Sequence, residues 1–458
     1  MARVAERTRR GPAEITAPVD SHDRALGAFD LTILWGDLGI GLLVLVTGAL
    51  LVPGLGLPEA IGAIVLGSVV GSGLLAVAGA IGAREGVPAM VLFRPILGRK
   101  GSWVPSLLNA AQLIGWTSVE LWAMSSVADL AASRTLGFSA RPLWLAVTAV
   151  LTVVLALWGP VGVARVWMKR FGAWVITAIC VALSVLLVTS GALSEALRAP
   201  ATGGWPTFGP ALDLVIAMPV SWLPLVADYT RFARHPRAAL VGTFSGYLVA
   251  NVWLYTLGAA LVTGAGAAPT PTGVAAAIVA LGGGSLAGLL FLVGLLVGET
   301  DEAFADLYSS ALSLRNVFAR LPQAPALIAI VAASIPLAAW LSMARYEAFL
   351  LLLGSVFVPL YGVLIGAFVG GRKVRGWDAH RSVRGALFAW AVGFVVYHWI
   401  SPLGPSWWLD LSGAVLGSPL VERFAWLPAS LPSFVLSLLL MLIARRVSSR
   451  QPVERGDR

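Results

Sequence analysis

The sequence predicts an all-α polytopic membrane protein with twelve spanning helices, and three observations carry that prediction. The 458 residues are 58% apolar and 12% charged, where a soluble domain is roughly a quarter charged. Mean hydropathy is +0.85. Apolar stretches of about the 20 residues that a bilayer crossing needs recur along the whole chain. A soluble enzyme and a disordered chain are both excluded. The net charge of +9 would suggest nucleic acid on a soluble domain. Here it serves topology and anionic lipid, since no basic patch is interleaved with aromatics.

Residues 1–28 are polar and read as a tail rather than a signal peptide, because no apolar core follows the early arginines closely. The spans fall near 30–52, 58–83, 104–130, 142–160, 171–191, 209–228, 240–263, 280–313, 322–341, 345–370, 382–401 and 424–444. The eighth is too long for a single crossing and is expected to run beyond the bilayer. An even number of spans puts both termini on one side. Of the 32 Lys and Arg, 27 lie in the tails and the loops that follow even-numbered spans, and the other five in the remaining loops. The positive-inside rule therefore places both termini in the cytoplasm. None of the 32 is left for the middle of a span. The chain divides into a tail (1–28), spans 1–10 (29–371), spans 11–12 (372–446) and a second tail (447–458).

The acids behave differently. Span 8 reads GETDEAFADLYSS, placing Glu299, Thr300, Asp301, Glu302 and Asp306 within eight positions. Glu299, Glu302, Asp306 and Ser310 share one helical face. A carboxylate at mid-bilayer costs about 2.5–3.5 kcal/mol even on the lenient scale. These acids must line a wet cavity, bind an external cation, or hold protons. A solvated helix extension would explain them without function, but GLLFLVGLLVG before them and LYSSALSL after them argue for burial.

Span 3 carries a polar stripe of Asn109, Gln112, Trp116 and Glu120 at steps of three, four and four. Interhelical hydrogen bonds suffice for Asn109 and Gln112. Trp116 and Glu120 lie one turn apart, so an indole face and a carboxylate share one space. That pairing suits a flat ligand that stacks and donates hydrogen bonds.

Span 1 reads LTILWGDLGIGLLVL, with Gly36, Gly39 and Gly41 around Asp37, which is poor material for a continuous helix. Span 6 reads IAMPVSWLPLVADYTR, with Pro219 and Pro224 flanking Trp222. Interruptions at matched positions five spans apart suggest a five-plus-five inverted repeat over spans 1–10, with a midplane site of unwound carbonyls and half-helix ends. Gly67 and Gly71 of span 2 read as a packing face, Asp228 and Arg231 as a local pair, and His398 as a packed histidine. No metal-ligand spacing links the four histidines, and no nucleophile–base pair supports a membrane-embedded enzyme. A cation channel using the acids is the remaining rival.

These residues resemble the nucleobase–cation symporter family of cytosine permeases and hydantoin transporters. The similarity rests on FRPILGRKGSW after span 2, IGWTSVELWA in span 3, SWLPLVADYTR in span 6 and GETDEAFADLYSS in span 8. The last two look most similar to the hydroxymethylpyrimidine transporter subgroup, associated with thiamine salvage. The resemblance implies a LeuT-like fold and import of a pyrimidine-type compound, hydroxymethylpyrimidine or cytosine, or alternatively of a purine, allantoin or hydantoin, driven by Na+ or H+, with no cofactor and the bilayer as surroundings. It puts the family's ring-stacking tryptophan on Trp116 and its ring-binding glutamine on Glu120. The family's asparagine of helix 8 falls on Asp306. Its polar pair at the sodium ion falls on Thr300 and Asp301, with helix 1 carbonyls around Gly36 to Gly39. The family's helix 6 tryptophan lands on Pro219, with Trp222 one turn later. Gln112, and the acids Asp37, Glu299 and Glu302, complete the expected substrate and ion site. Where the family has amides, this chain has carboxylates at Glu120 and Asp306.

Overall fold

The computed structural model describes residues 17–158, 173–283, 286–370 and 385–450. The first sixteen residues, Arg165, Lys169 and Arg170 of the fourth loop, the basic stretch 371–384 and the residues from 451 onward lie outside the described residues. Every regular element described is helical, and the β structure amounts to one isolated bridge between Leu26 and Ala233.

Span 1 is two helices, α1 (Ala28–Asp37) and α2 (Leu42–Ala49), bent by 63°. Span 2 is α3 (Leu57–Glu85), followed by a short α4 (Arg94–Gly101) in the loop. Spans 3 and 4 are α5 (Trp103–Thr135) and α6 (Arg141–Trp158). Span 5 is α7 (Ala173–Thr189), after which α8 (Ala192–Arg198) turns away by 70°. Span 6 comprises α9 (Phe208–Ser221) and α10 (Leu223–Thr230), and span 7 is α11 (Pro236–Ala265). A separate α12 (Pro271–Leu281) precedes α13 (Leu286–Val317), which is span 8. Spans 9 to 11 are α14 (Gln323–Trp340), α15 (Met343–Phe368) and α16 (Ala386–Ile400). Two short helices, α17 (Ser406–Leu416) and α18 (Leu420–Arg423), lead to span 12, α19 (Ser430–Arg450). The polytopic all-α architecture is as the sequence predicts.

Three local expectations change. Span 8 does not begin at 280: the apolar run contains two helices, because Gly282 ends α12 and Gly283 takes a positive φ of 71° that α-helix does not allow. The two interrupted spans also differ. The glycine-rich connection Leu38–Gly41 redirects span 1, whereas α9 and α10 remain one apolar span, Phe208–Thr230. A proline removes one donor and loosens one turn, while several glycines in succession release the chain altogether. Finally, part of the N-terminal tail packs on the bundle. Val19 donates to Gly86 O at 2.9 Å, Arg24 Nη1 to Ala83 O at 2.6 Å, and Leu26 to Phe232 O at 3.0 Å.

The broken span 1 lies against α11 through small residues. A Cβ on Gly39 would sit 2.8 Å from the Ala250 Cβ, and one on Gly246 2.8 Å from the Gly36 nitrogen. Such backbone approach is the usual means of packing helices where burial in lipid offers no hydrophobic driving force. On the outside, Val65, Val69, Val150, Val154, Val185, Phe388 and Val435 are exposed, as a lipid-facing surface requires. The C-terminal helices pack on α15. Asp213 of α9 reaches α19 and accepts from Ala429 N at 2.6 Å and Ser430 N at 2.9 Å, a carboxylate cap on a helix N-terminus.

Candidate functional site

The polar stripe of α5 faces the interruption in span 6. Pro224 lacks an N–H, and Leu225 N turns to Trp222 O, so the Ser221 carbonyl loses its helical donor. Gln112 Nε2 supplies one at 3.0 Å and also donates to Asn109 Oδ1 at 2.8 Å. Asn109 Nδ2 donates to Pro224 O at 3.2 Å and to Ser313 Oγ of α13 at 2.7 Å. These two residues tie three spans together, and Gln112 keeps a free Oε1.

One turn further along α5, Trp116 is 6% exposed and packs edge-on against Tyr346 and Phe349 of α15, with ring centroids 6.2 and 5.6 Å apart. Its indole N–H has no hydrogen-bond partner. Glu120 follows, fully inside, with the carboxyl of Asp306 on α13 beside it. Beyond this contact, Glu120 Oε2 and Asp306 Oδ2 have no further partner.

The acids of α13 run on to the start of α2. Glu299 Oε1 accepts from Leu42 N at 2.5 Å, and a Cβ on Gly41 would stand 2.7 Å from the same oxygen and collide with the Glu302 carboxylate. Only glycine fits that corner. Thr47 donates to Leu43 O at 2.7 Å and accepts from the Tyr346 hydroxyl at 2.6 Å. Tyr346 thereby joins Trp116 to α2.

The remaining expected residues are distributed as follows. Asp37 ends α1, is 7% exposed, and neither carboxylate oxygen has a hydrogen-bond partner. The Gly36 and Asp37 carbonyls accept from Gly39 N at 3.3 Å and Ile40 N at 3.0 Å in the turn. Thr300 is buried on α13; the side chain of Asp301 lies outside the described residues. Trp222 sits at the α9–α10 junction with its ring edge-on to Trp35 at 6.1 Å, in a cluster that continues to Tyr229 and Tyr247. Among the described residues, no ring contact joins this cluster to the aromatic group around Trp116. Pro219 presses its ring on Gly71 of α3. Asp228 lies beside Arg231, as expected, and accepts from Ala89 N at 2.9 Å, while Arg231 Nη2 also approaches the Tyr308 hydroxyl at 3.4 Å.

Sequence reading missed Tyr346, Phe349 and Thr47. A single tyrosine at the start of an apolar span was the available signal, since a buried hydroxyl needs a partner. It also missed α12, which packs against α2, α5, α11 and α13. Its small residues read as more of span 8.

Interrupted helices around buried polar groups, within an apolar bundle, define a multi-pass membrane transporter. A family profile described as "Permease for cytosine/purines, uracil, thiamine, allantoin" matches residues 18–401, and the chain belongs to this family. The family consists of permeases, not enzymes. The chain is 26% identical over 379 residues to the cytosine permease of Escherichia coli strain K12, covering 82% of this chain and 85% of the relative. It is 25% identical over 385 residues to the hydantoin permease of Microbacterium maritypicum, covering 80% and 78%. Among solved structures, inward-facing Mhp1 superposes with a TM-score of 0.78 at 20% identity, covering 96% and 95%. Mhp1 closed on bromovinylhydantoin gives 0.75 at 20% identity, covering 95% of each. MhsT in complex with L-phenylalanine gives 0.58 at 16% identity, covering 92% and 97%. The LeuT-like fold expected from the sequence is the fold of these proteins.

Proposed function

We propose that the chain imports a pyrimidine-type compound, hydroxymethylpyrimidine or cytosine, by symport with Na+ or H+, with both termini in the cytoplasm. The observation that supports this reading best is the position of Trp116 and Glu120 one turn apart on α5, with the carboxyl of Asp306 on α13 beside Glu120. An indole beside paired carboxyls can stack on a flat ring and accept from its amino and ring N–H groups. Gln112 contributes its free Oε1 next to them. Thr300, Asp301 and the carbonyls of the α1–α2 connection are the ion site in this reading, with Glu299 and Glu302 alongside. Two buried carboxyls side by side are costly to ionise together, so Glu120 and Asp306 are also the candidate carriers for H+ in this reading. Rocking of one repeat against the other then exposes the site alternately to each side.

The test is uptake of radiolabelled hydroxymethylpyrimidine into liposomes under an inward Na+ gradient and, separately, an inward H+ gradient. Cytosine, uracil, a purine and a hydantoin serve as competitors. Accumulation under one gradient, suppressed by aminopyrimidines above the others, is the expected result, and that gradient identifies the ion. No accumulation by folded protein under either gradient rejects the substrate assignment. Ion conduction without substrate and without counterflow would mark a channel instead.

A further inference from the structure

Among the described residues, the charged groups gathered around Glu120 are acids. The carboxyls acting on Glu120 are Asp306, Glu302 and Glu299, and all four are at most 6% exposed. Arg231, the guanidinium near this end of α13, lies toward Asp228 and Tyr308. The fold consumes only part of this acceptor capacity. Glu299 Oε1 is taken by Leu42 N, whereas Glu120 Oε2 and Asp306 Oδ2 have no partner beyond their mutual contact. Two groups that are not acids point to a ligand in the same place. The buried Trp116 N–H and Gln112 Oε1 are unpartnered and lie on the Glu120 face of α5.

The pattern of donors and acceptors decides what fits. An amide side chain offers one donor and one acceptor, matching the amino group and bare ring nitrogen of a neutral aminopyrimidine. A carboxylate offers two acceptors and matches an edge with two N–H donors, which an amidinium presents as a planar fork with a positive charge. The other polar feature of the site works in the same direction. Half-helix N-termini in broken-helix carriers attract anionic groups of the substrate. Here the first N–H of α2 already holds Glu299.

We propose that this transporter takes its substrate as a cation bearing an amidinium-type edge, with Glu120 and Asp306 setting that preference and Glu299 closing the α2 terminus to anions. The proposal rests on the substrate site described above, and it concerns the charge of the cargo rather than its identity. A cation among these carboxylates compensates their buried charge. A neutral isostere of the same shape leaves a ring lone pair or a carbonyl facing a carboxylate.

The test compares benzamidine, a cation with two parallel N–H donors, with benzamide, its neutral isostere, and with benzoate. Binding to purified protein is measured by calorimetry for wild type, Glu120→Gln, Asp306→Asn, Glu299→Gln and, as a surface-charge control, Glu195→Gln. Wild type and Glu195→Gln are expected to favour benzamidine over benzamide at least tenfold and to ignore benzoate. Glu120→Gln and Asp306→Asn should each bring the ratio to within about threefold of unity, the isosteric amides keeping the variants folded. Glu299→Gln, which removes the negative charge at the α2 terminus, should gain benzoate binding. Equal binding of the two isosteres by wild type, binding of neither, or a preference that survives both Glu120→Gln and Asp306→Asn would overturn the proposal. Failure of pyrimidine uptake alongside an intact benzamidine preference would reject the pyrimidine reading alone.

Discussion

Glu299 of α13 holds the backbone N–H of Leu42, the first residue of α2, at 2.5 Å. A carboxylate from the eighth span therefore caps the half-helix that resumes after the break in the first. Gly41, the residue at the N-cap position, has no side chain to do this. The bent span owes its fixed geometry to a contact 257 residues away in sequence.

Glu299→Leu removes that acceptor and exposes no alternative one to the start of α2. The expected loss is about 1–3 kcal/mol, the range for a buried charge-assisted hydrogen bond and a lost cap. Glu299→Gln retains an oxygen and should lose less than half as much. Thermal unfolding in detergent reads both. Equal melting of Glu299→Leu and wild type would show that α2 starts correctly without its cap.

The packing of span 1 on α11 gives a steric prediction. A Cβ on Gly258 would meet the backbone of Leu45, with the carbonyl carbon 2.7 Å away, whereas one on Gly62 meets nothing within 4 Å. Gly258→Ala should therefore cost about 1–3 kcal/mol or more through overpacking. Gly62→Ala should leave stability unchanged or raise it slightly. Monodisperse yield by fluorescence-detected size exclusion separates the two, and comparable yields would refute the close contact.

A third prediction concerns Asn316 of α13, which accepts from Arg94 Nε at 2.8 Å and donates to Ser106 Oγ at 2.8 Å and Ser102 Oγ at 3.2 Å. It links the FRPILGRKGSW stretch to α5 and α13. Asn316→Leu leaves these buried groups short of a partner and should cost about 1–3 kcal/mol. Asn316→Asp keeps the acceptor for Arg94 but loses the donor, so it should fall between the two. Melting temperatures in that order check the network; a Leu variant as stable as wild type would dismiss it.

The sequence made the spans visible because membrane burial demands long apolar runs. It made Glu120 and Asp306 visible because an acid without a base stands out against such runs. Both interruptions could be located from Gly36, Gly39, Pro219 and Pro224, but not their consequences. How far a helix bends depends on what the neighbouring helix accepts. Gln112 steadies span 6 by binding Ser221 O, and no local pattern contains that pairing. Pro219 illustrates the same limit. Counting along the motif assigns it to the ligand, and only the fold reveals that its ring also lies against Gly71. Tyr346 and Thr47 were hidden because their meeting requires spans 1 and 10 to be adjacent.

The two tryptophans provide the last prediction. Trp116 packs on Tyr346 and Phe349 beside the carboxyls, whereas Trp222 packs on Trp35 at the span 6 junction. Both are buried, so both truncations cost packing, and stability alone cannot separate their roles. Kinetics can. With Trp116 as the stacking surface of the proposed site, Trp116→Leu should raise the KM for uptake about tenfold, since an aromatic stacking contact is worth about 1–1.5 kcal/mol. Trp222→Leu should lower the melting temperature with KM within about twofold of wild type, any loss of rate tracking the folded fraction. Initial uptake rates over a substrate series, normalised to folded protein, supply both constants. A KM rise confined to Trp222→Leu would move the stacking surface to the helix junction and return Trp116 to the core.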